Sequence, residues 1–210
     1  MAPTRASTGL YGGKTAEQRR DERRTRLLEA GAAIWIADGW AAVSMRAVCS
    51  RAGLTDRYFY AEFSNVHDLL AALWDQANER ALAVVVADFA THEDETPRDR
   101  LRSGIATYIS HLATHPDDAR ILFGDSAGCA VLTSRQRDLR LTGVAVVADF
   151  GEPFLAAGID HDDFLVRVRM AIGGLLELLA AWQAGDIPGT VDEIVAHATT
   201  FCELLAASVT

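Results

Sequence analysis

The chain has little of what locks a small fold covalently or interrupts long helices, with 3 Cys and 5 Pro among 210 residues. Cys49, Cys129 and Cys202 lie far apart, an odd count without a C-x-x-C pair, which argues against a disulfide framework and a structural zinc site. They read as three small apolar side chains. No run approaches the ~18 apolar residues that a membrane helix needs, and no positive-then-apolar leader opens the chain. Cytoplasmic residence without a membrane partner is therefore expected. No alternating strand pattern exceeds VAVV, and there is no internal repeat. A Gly-rich phosphate loop, a G-x-S-x-G elbow and paired catalytic carboxylates are missing too, so neither enzyme chemistry nor a cofactor is expected.

An overall excess of basic charge is also lacking. The 20 Lys and Arg face 29 Asp and Glu, for a net charge of −9. The charge is unevenly spread: residues 1–67 carry ten basic against seven acidic side chains (+3), and residues 68–210 carry ten against twenty-two (−12). If either part meets a polyanion, it is the head.

What is present is helical periodicity. Residues 1–18 are rich in Gly, Thr, Ser and Ala, lack apolar periodicity and read as a flexible arm. From Arg19, apolar Leu27, Leu28, Gly31, Ile34 and Trp35 recur at three- and four-residue spacing, and Gly39 stands where a left-handed cap ends such a helix. Ser44 is placed to cap a second helix, Gly53 breaks it, and Thr55 is placed to cap a third through about Phe63. A long helix follows from Asn65 to about Ala90. Pro97 suits the first turn of another, which runs to His115 and is stopped by Pro116. A segment over 128–150 and two final helices, Phe164–Ala184 and Val191–Val209, complete an all-α chain of about nine helices. The domain boundaries expected are an arm over 1–18, a first domain over 19–66 and a second over 67–210.

Two short helices joined by RAGL form a helix-turn-helix pattern, in which the second helix enters the DNA major groove. That second helix lies in LTDRYFYAEF, which mixes four aromatic with three charged residues. Phe59 and Phe63 are four apart and share an inward face, while Thr55, Asp56, Arg57, Tyr58 and Tyr60 are left for the other side. Arg57 has the donors to read guanine bidentately, and Tyr58 can press on a thymine methyl. Asp56 suits the positive helix terminus, a cytosine amino group, or a role orienting Arg57. Arg46 on the supporting helix is within reach of backbone or a flanking base. Lys14, Arg19, Arg20, Arg23, Arg24 and Arg26 form a basic cluster that can enter a minor groove, lie on phosphates or stay solvated.

The span Leu27–Leu73 resembles the amino-terminal domain of the TetR/AcrR family of bacterial regulators over its whole length. The matches are Leu27, Leu28, Ala30, Ile34, Gly39, Ser44, Met45, Val48, Ala52, Gly53, Leu54, Thr55, Phe59, Tyr60, Phe63, Asn65 and Leu69, with Trp35 and Trp40 at aromatic positions. Cys49 replaces a usual Ala, and Val66 replaces a usual phosphate-contacting Lys, which leaves Asn65 or His67 to make that contact. The resemblance implies a repressor that binds a palindromic operator as a homodimer and is released by a small, largely apolar effector. It gives Tyr60 a phosphate contact.

The final two helices are the expected dimer interface, through Val168, Ile172, Leu175, Leu176, Leu179, Ile194, Ala198, Phe201 and Leu205. The effector pocket is expected among Trp74, Asn78, Tyr108, His111, Phe123, Met170 and Glu177. A helical-bundle metal-binding protein or enzyme without DNA function is the competing class. Its one feature is His111 and His115 at i, i+4, without the E-x-x-H partners of a di-metal bundle.

Overall fold

Every regular element among the described residues is helical; the computed structural model describes residues 15–92, 94–152 and 160–206. Among the described residues there are nine α-helices: α1 (Ala16–Asp38), α2 (Met45–Ala52), α3 (Asp56–Tyr60), α4 (Val66–Thr91), α5 (Pro97–Thr114), α6 (Pro116–Phe123), α7 (Ala130–Gly151), α8 (His161–Ala184) and α9 (Val191–Ala206). A 3₁₀ turn, Trp40–Ala42, precedes α2. Two compact units meet between Leu73 and Trp74.

In the first unit, α1 starts at Ala16, earlier than the Arg19 start that composition suggests. The reason is a capping box: Thr15 Oγ1 accepts from Gln18 N at 3.1 Å, and Thr15 N donates to Gln18 Oε1 at 2.8 Å. Residues 15–18 are thus helix and cap rather than arm, while 1–14, with Lys14, lie outside the described residues. Gly39 ends α1 at φ 85° and ψ 163°, a positive-φ backbone but not the left-handed helical cap expected. Ser44 caps α2 as expected, its hydroxyl accepting from Ala47 N at 3.3 Å. Gly53 takes the left-handed conformation, φ 61° and ψ 39°, and turns the chain toward α3. Thr55 stands at the start of α3 without a side-chain capping bond, contrary to expectation.

The core of this unit includes Leu27, Leu28, Trp35, Val48, Phe59, Phe63, Leu69 and Leu70. Gly31 lets α1 lie close on α4; a Cβ there would come within 3.0 Å of Leu69 and 3.2 Å of Leu73. This contact carries the unit to Leu73, past the boundary expected at residue 66, because the first two turns of α4 pack into the amino-terminal core.

In the second unit, α5 packs on α9 and α6, α7 on α8, and α8 on α9 and α6. Pro116 does stop α5, but it also starts α6, with His115 as the shared cap residue. Arg98 of α5 pairs with Glu203 of α9 at 2.6 Å. Deeper, Asp118 of α6 accepts from Arg80 Nε of α4 at 3.1 Å and from His111 Nε2 of α5 at 3.1 Å. A carboxylate only accepts, so Nε2 carries the His111 proton. Burial alone would raise the Asp118 pKa; the bonds and charge of Arg80, then those of His111, outweigh it and hold the carboxyl below its ordinary value.

Phe59 has 0 % of its surface exposed and its neighbour Tyr60 has 58 %. Phe59→Ala is expected to cost about 3–5 kcal/mol in the first unit's unfolding. Tyr60→Ala should change stability by less than about 1 kcal/mol. Urea denaturation of both variants measures the contrast, and equal losses would contradict the placement of the two rings.

Asp118 sets a pH dependence for the second unit. A carboxyl depressed in the folded state adds stability that is full above about pH 4 and is lost as pH falls through the folded value. Asp118→Asn should lose about 1.5–3 kcal/mol at pH 7, the worth of a charged hydrogen bond, and lose less at pH 3. Thermal melts at the two pH values decide this, and a penalty independent of pH would refute it.

Candidate nucleic-acid interface and helical interior

An α-helix of five residues cannot stand alone, because nucleation fixes several residues for each hydrogen bond gained. α3 exists because Phe59 and Phe63 are buried, their centroids 5.7 Å apart, with Tyr60 edge-on to Phe59 at 5.6 Å. The opposite side is open. Thr55, Asp56, Arg57, Tyr58 and Tyr60 are all exposed, as is Arg46 on α2. The structure therefore brings these sequence-identified residues onto α2 and α3 with their side chains available. Asp56 occupies the first turn of α3, where a carboxylate favours the helix terminus. Burial, and then the charge of Asp56, raise the pKa of Cys49 on α2, so that thiol stays protonated.

The start of α4 is similarly resolved. Val66 is half-buried, and Asn65 and His67 are exposed. Asn65 Oδ1 accepts from Asp68 N at 3.1 Å, and Asp68 Oδ2 accepts from Ser64 N at 3.1 Å. The Asn65 oxygen is thus engaged as a helix cap, which leaves its amide hydrogens and the His67 ring facing outward.

The basic cluster of α1 behaves differently from the expectation of an arm on DNA. Arg20 Nε donates to Glu62 at 2.9 Å. Arg23 lies over the Tyr58 ring at 4.8 Å, and Arg24 over Phe63 at 4.6 Å. Arg26 donates to the Ala52 carbonyl beside the turn. These arginines hold the recognition segment. The i, i+3 and i, i+4 spacing of Arg20, Arg23 and Arg24 was the available sequence signal, since it puts them on one side of a helix. Glu62, its side chain only 3 % exposed, is the partner that sequence reasoning missed.

In the second unit the expected pocket residues part company. Trp74, Tyr108 and His111 are buried, and Asn78 and Phe123 are half-buried. Met170 is 54 % exposed and Glu177 is exposed, so neither faces the interior. The correction follows from helix phase: Phe164, Val168 and Leu179 turn inward on α8, which rotates Val166, Met170 and Glu177 outward.

The same phase revises the interface residues. Val168, Leu179 and Ile194 are core, while Ile172, Leu175 and Leu176 are half-buried. Leu205 lies in α9, but its side chain is outside those described. Gly174, Leu175, Leu178, His197, Ala198 and Phe201 line an open groove of about 290 Å³. Gly174 makes the close approach possible, since a Cβ there would come within 2.8 Å of the Phe201 ring. Val166, Met170, Phe201 and Leu204 are exposed apolar side chains of the two helices. Val166 and Leu204 were not among the sequence candidates.

His111 and His115 stack face to face, centroids 4.3 Å apart and planes 16° apart, with the His111 Nε2 proton directed to Asp118. Stacked rings do not converge on a common metal position.

The family of bacterial regulatory proteins named tetR matches residues 27–73. No curated protein matches the chain. Among solved structures, a TetR-like transcriptional regulator from Rhodococcus sp. RHA1 is similar over 88 % of this chain and 96 % of its own, at 18 % identity and a TM-score of 0.67. The fatty acid degradation regulator FadR from Bacillus halodurans is similar over 88 % and 94 %, at 16 % identity and a TM-score of 0.65. The multidrug binding protein EbrR, complexed with imidazole, is similar over 85 % and 94 %, at 19 % identity and a TM-score of 0.62. Residues 27–73 thus resemble the tetR family of bacterial regulatory proteins in sequence, and the all-helical fold is matched along most of the chain.

Proposed function

We propose that this protein is a cytoplasmic repressor that binds a palindromic operator as a homodimer and releases it on binding a small, largely apolar effector. The observation that carries the DNA reading is the two-sidedness of α3. Phe59 and Phe63 are buried, and Thr55, Arg57, Tyr58 and Tyr60 face outward from a +3 head. In this reading Arg57 and Tyr58 contact base edges, Thr55 and Asp56 flank them, and Arg46, Tyr60, Asn65 and His67 meet the backbone. Two copies a helical turn apart, ~34 Å, present two such helices to successive major grooves.

The dimer is proposed to form through α8 and α9. Met170, Val166, Phe201 and Leu204 supply apolar surface, and Ile172, Leu175 and Leu176 supply half-buried flanks. The effector is proposed to enter the interior between α4, α5 and α6, where Trp74, Asn78, Tyr108 and His111 lie and Phe123 closes α6. An effector that favours one arrangement of the recognition helices over another would shift the population away from the DNA-bound form. The names of two similar structures, a multidrug binding protein and a fatty acid degradation regulator, support a regulator that responds to small molecules.

Selection of bound sequences from a random DNA pool tests the reading, with an inverted repeat as the expected result. Arg57→Ala should lower affinity for the selected site and relax the preference at one base pair per half-site, by about 1–3 kcal/mol. An unchanged preference profile removes Arg57 from the readout, and recovery of no sequence at all refutes DNA binding.

Sedimentation of the purified protein at micromolar concentration is expected to show dimers. The pair Met170→Glu and Phe201→Glu should yield single chains that stay folded, because both positions are exposed. Single chains in the unmodified protein would overturn the dimer.

A further inference from the structure

Arg23 of α1 lies over the Tyr58 ring of α3, its guanidinium carbon 4.8 Å from the ring centroid. Both residues are exposed, and Tyr58 keeps 41 % of its surface open. A cation at this distance is attracted by the electron-rich ring face, yet an exposed pair of this kind adds little stability. What it adds is a constraint on a side chain that faces outward.

The pairing is built into α1. Arg20, Arg23 and Arg24 stand at i, i+3 and i+4, so they share one side of that helix. Arg20 bonds Glu62 at 2.9 and 3.2 Å, and Arg24 lies 4.6 Å from the centre of the Phe63 ring. Glu62 and Phe63 follow directly on the last turn of α3. The strip of α1 that carries Arg23 is thereby held against the segment that carries Tyr58. The three arginines differ in what they hold. The Glu62 side chain and Phe63 are each only 3 % exposed, whereas the partner of Arg23 lies on the open face.

The consequence follows from the rotamers of tyrosine. On a helix its χ1 is limited to two wells, which send the ring in different directions. Arg23 favours the well that places the ring beneath its guanidinium, so the ring is directed before any DNA arrives. A side chain already ordered is spared the ordering cost that binding otherwise imposes. Stacking also divides the ring. Arg23 covers one face, which leaves the other face, the edge and the hydroxyl for a base.

We propose that Arg23 is a positioning residue for sequence readout: it fixes the direction of the Tyr58 ring, and the preference at the base pair that Tyr58 meets depends on that stack. This rests on the reading of α3 as the recognition helix. It deepens that reading by adding a residue of α1, outside the two helices of the helix-turn-helix, to the determinants of specificity.

The test uses the full chain, the double-stranded site that it selects from random DNA, and a series of that site substituted one base pair at a time. Tyr58→Ala should flatten the preference at one base pair per half-site. Arg23→Ala should flatten it at the same pair, by about two- to tenfold, the range expected for losing the order of one side chain. In the Tyr58→Ala background, Arg23→Ala should change that preference by less than half as much, because two residues that form one contact are not additive. Arg23→Lys keeps the charge but not the planar stack, so it should retain the salt dependence of binding and recover less than half of the lost preference. Arg23→Ala should stay folded, with a thermal midpoint within about 4 °C of the unmodified protein, since the pair is exposed. An unchanged preference in Arg23→Ala or in Tyr58→Ala overturns the assignment. So does a uniform loss of affinity across all pairs with a shallower salt slope, which is the mark of a phosphate contact. Additive losses in the double variant, or full recovery with lysine, overturn it as well. Protein that selects an inverted repeat yet ignores Arg23 loses this inference alone, whereas protein that selects no DNA loses the recognition helix together with it.

Discussion

The burial of Phe59 is the constraint on which the proposed function rests. α3 is too short to be stable by its own backbone bonds, so its geometry comes from what it packs against. A wholly buried ring at its centre fixes the rotation of the helix about its axis. That rotation then decides that Arg57, Tyr58 and Tyr60 point outward together. A slip of one residue would exchange an anchor for a contact, so the surface is as well defined as the core beneath it.

The arginines of α1 extend this logic. Four of them meet residues at or around α2 and α3: Arg20 at Glu62, Arg23 at Tyr58, Arg24 at Phe63 and Arg26 at the Ala52 carbonyl. The contacts are individually modest, since the Arg20 side chain is mostly solvated and exposed ion pairs contribute ~0–1 kcal/mol. Their joint effect is positional. Arg23 over Tyr58 ties a residue of α1 to the face proposed to read DNA, so the positive charge of the head also serves to orient the recognition segment.

How much of this could be read from residues alone depends on how far apart the deciding partners are in sequence. Ser44, Gly53 and the Phe59–Phe63 spacing act within a turn or two, so α2, the turn and α3 were legible, as was the outward set from Thr55 to Tyr60. The Thr15–Gln18 box is just as local, but a composition rich in Ala, Thr and Gly masked it. Arg20 and Glu62 are 42 residues apart, and nothing in either flank announces the other. In the second unit the difficulty is phase. α8 carries apolar residues around most of its circumference, so Met170 and Val168 were equally plausible inward choices until Phe164 and Leu179 fixed the rotation.

The second unit also shows why its interior is not simply a core. Asp118 is buried and has two donors, and such a charge is retained only because Arg80 and His111 compensate it. Elsewhere on α4 and α5, Trp74 Nε1, Asn78 Oδ1 and the Tyr108 hydroxyl are buried without a hydrogen-bond partner. For stability alone, Phe at position 108 would pack as well as Tyr without the desolvation cost of the hydroxyl. The Asp118 network, by contrast, joins α4, α5 and α6 through the two donors Arg80 and His111.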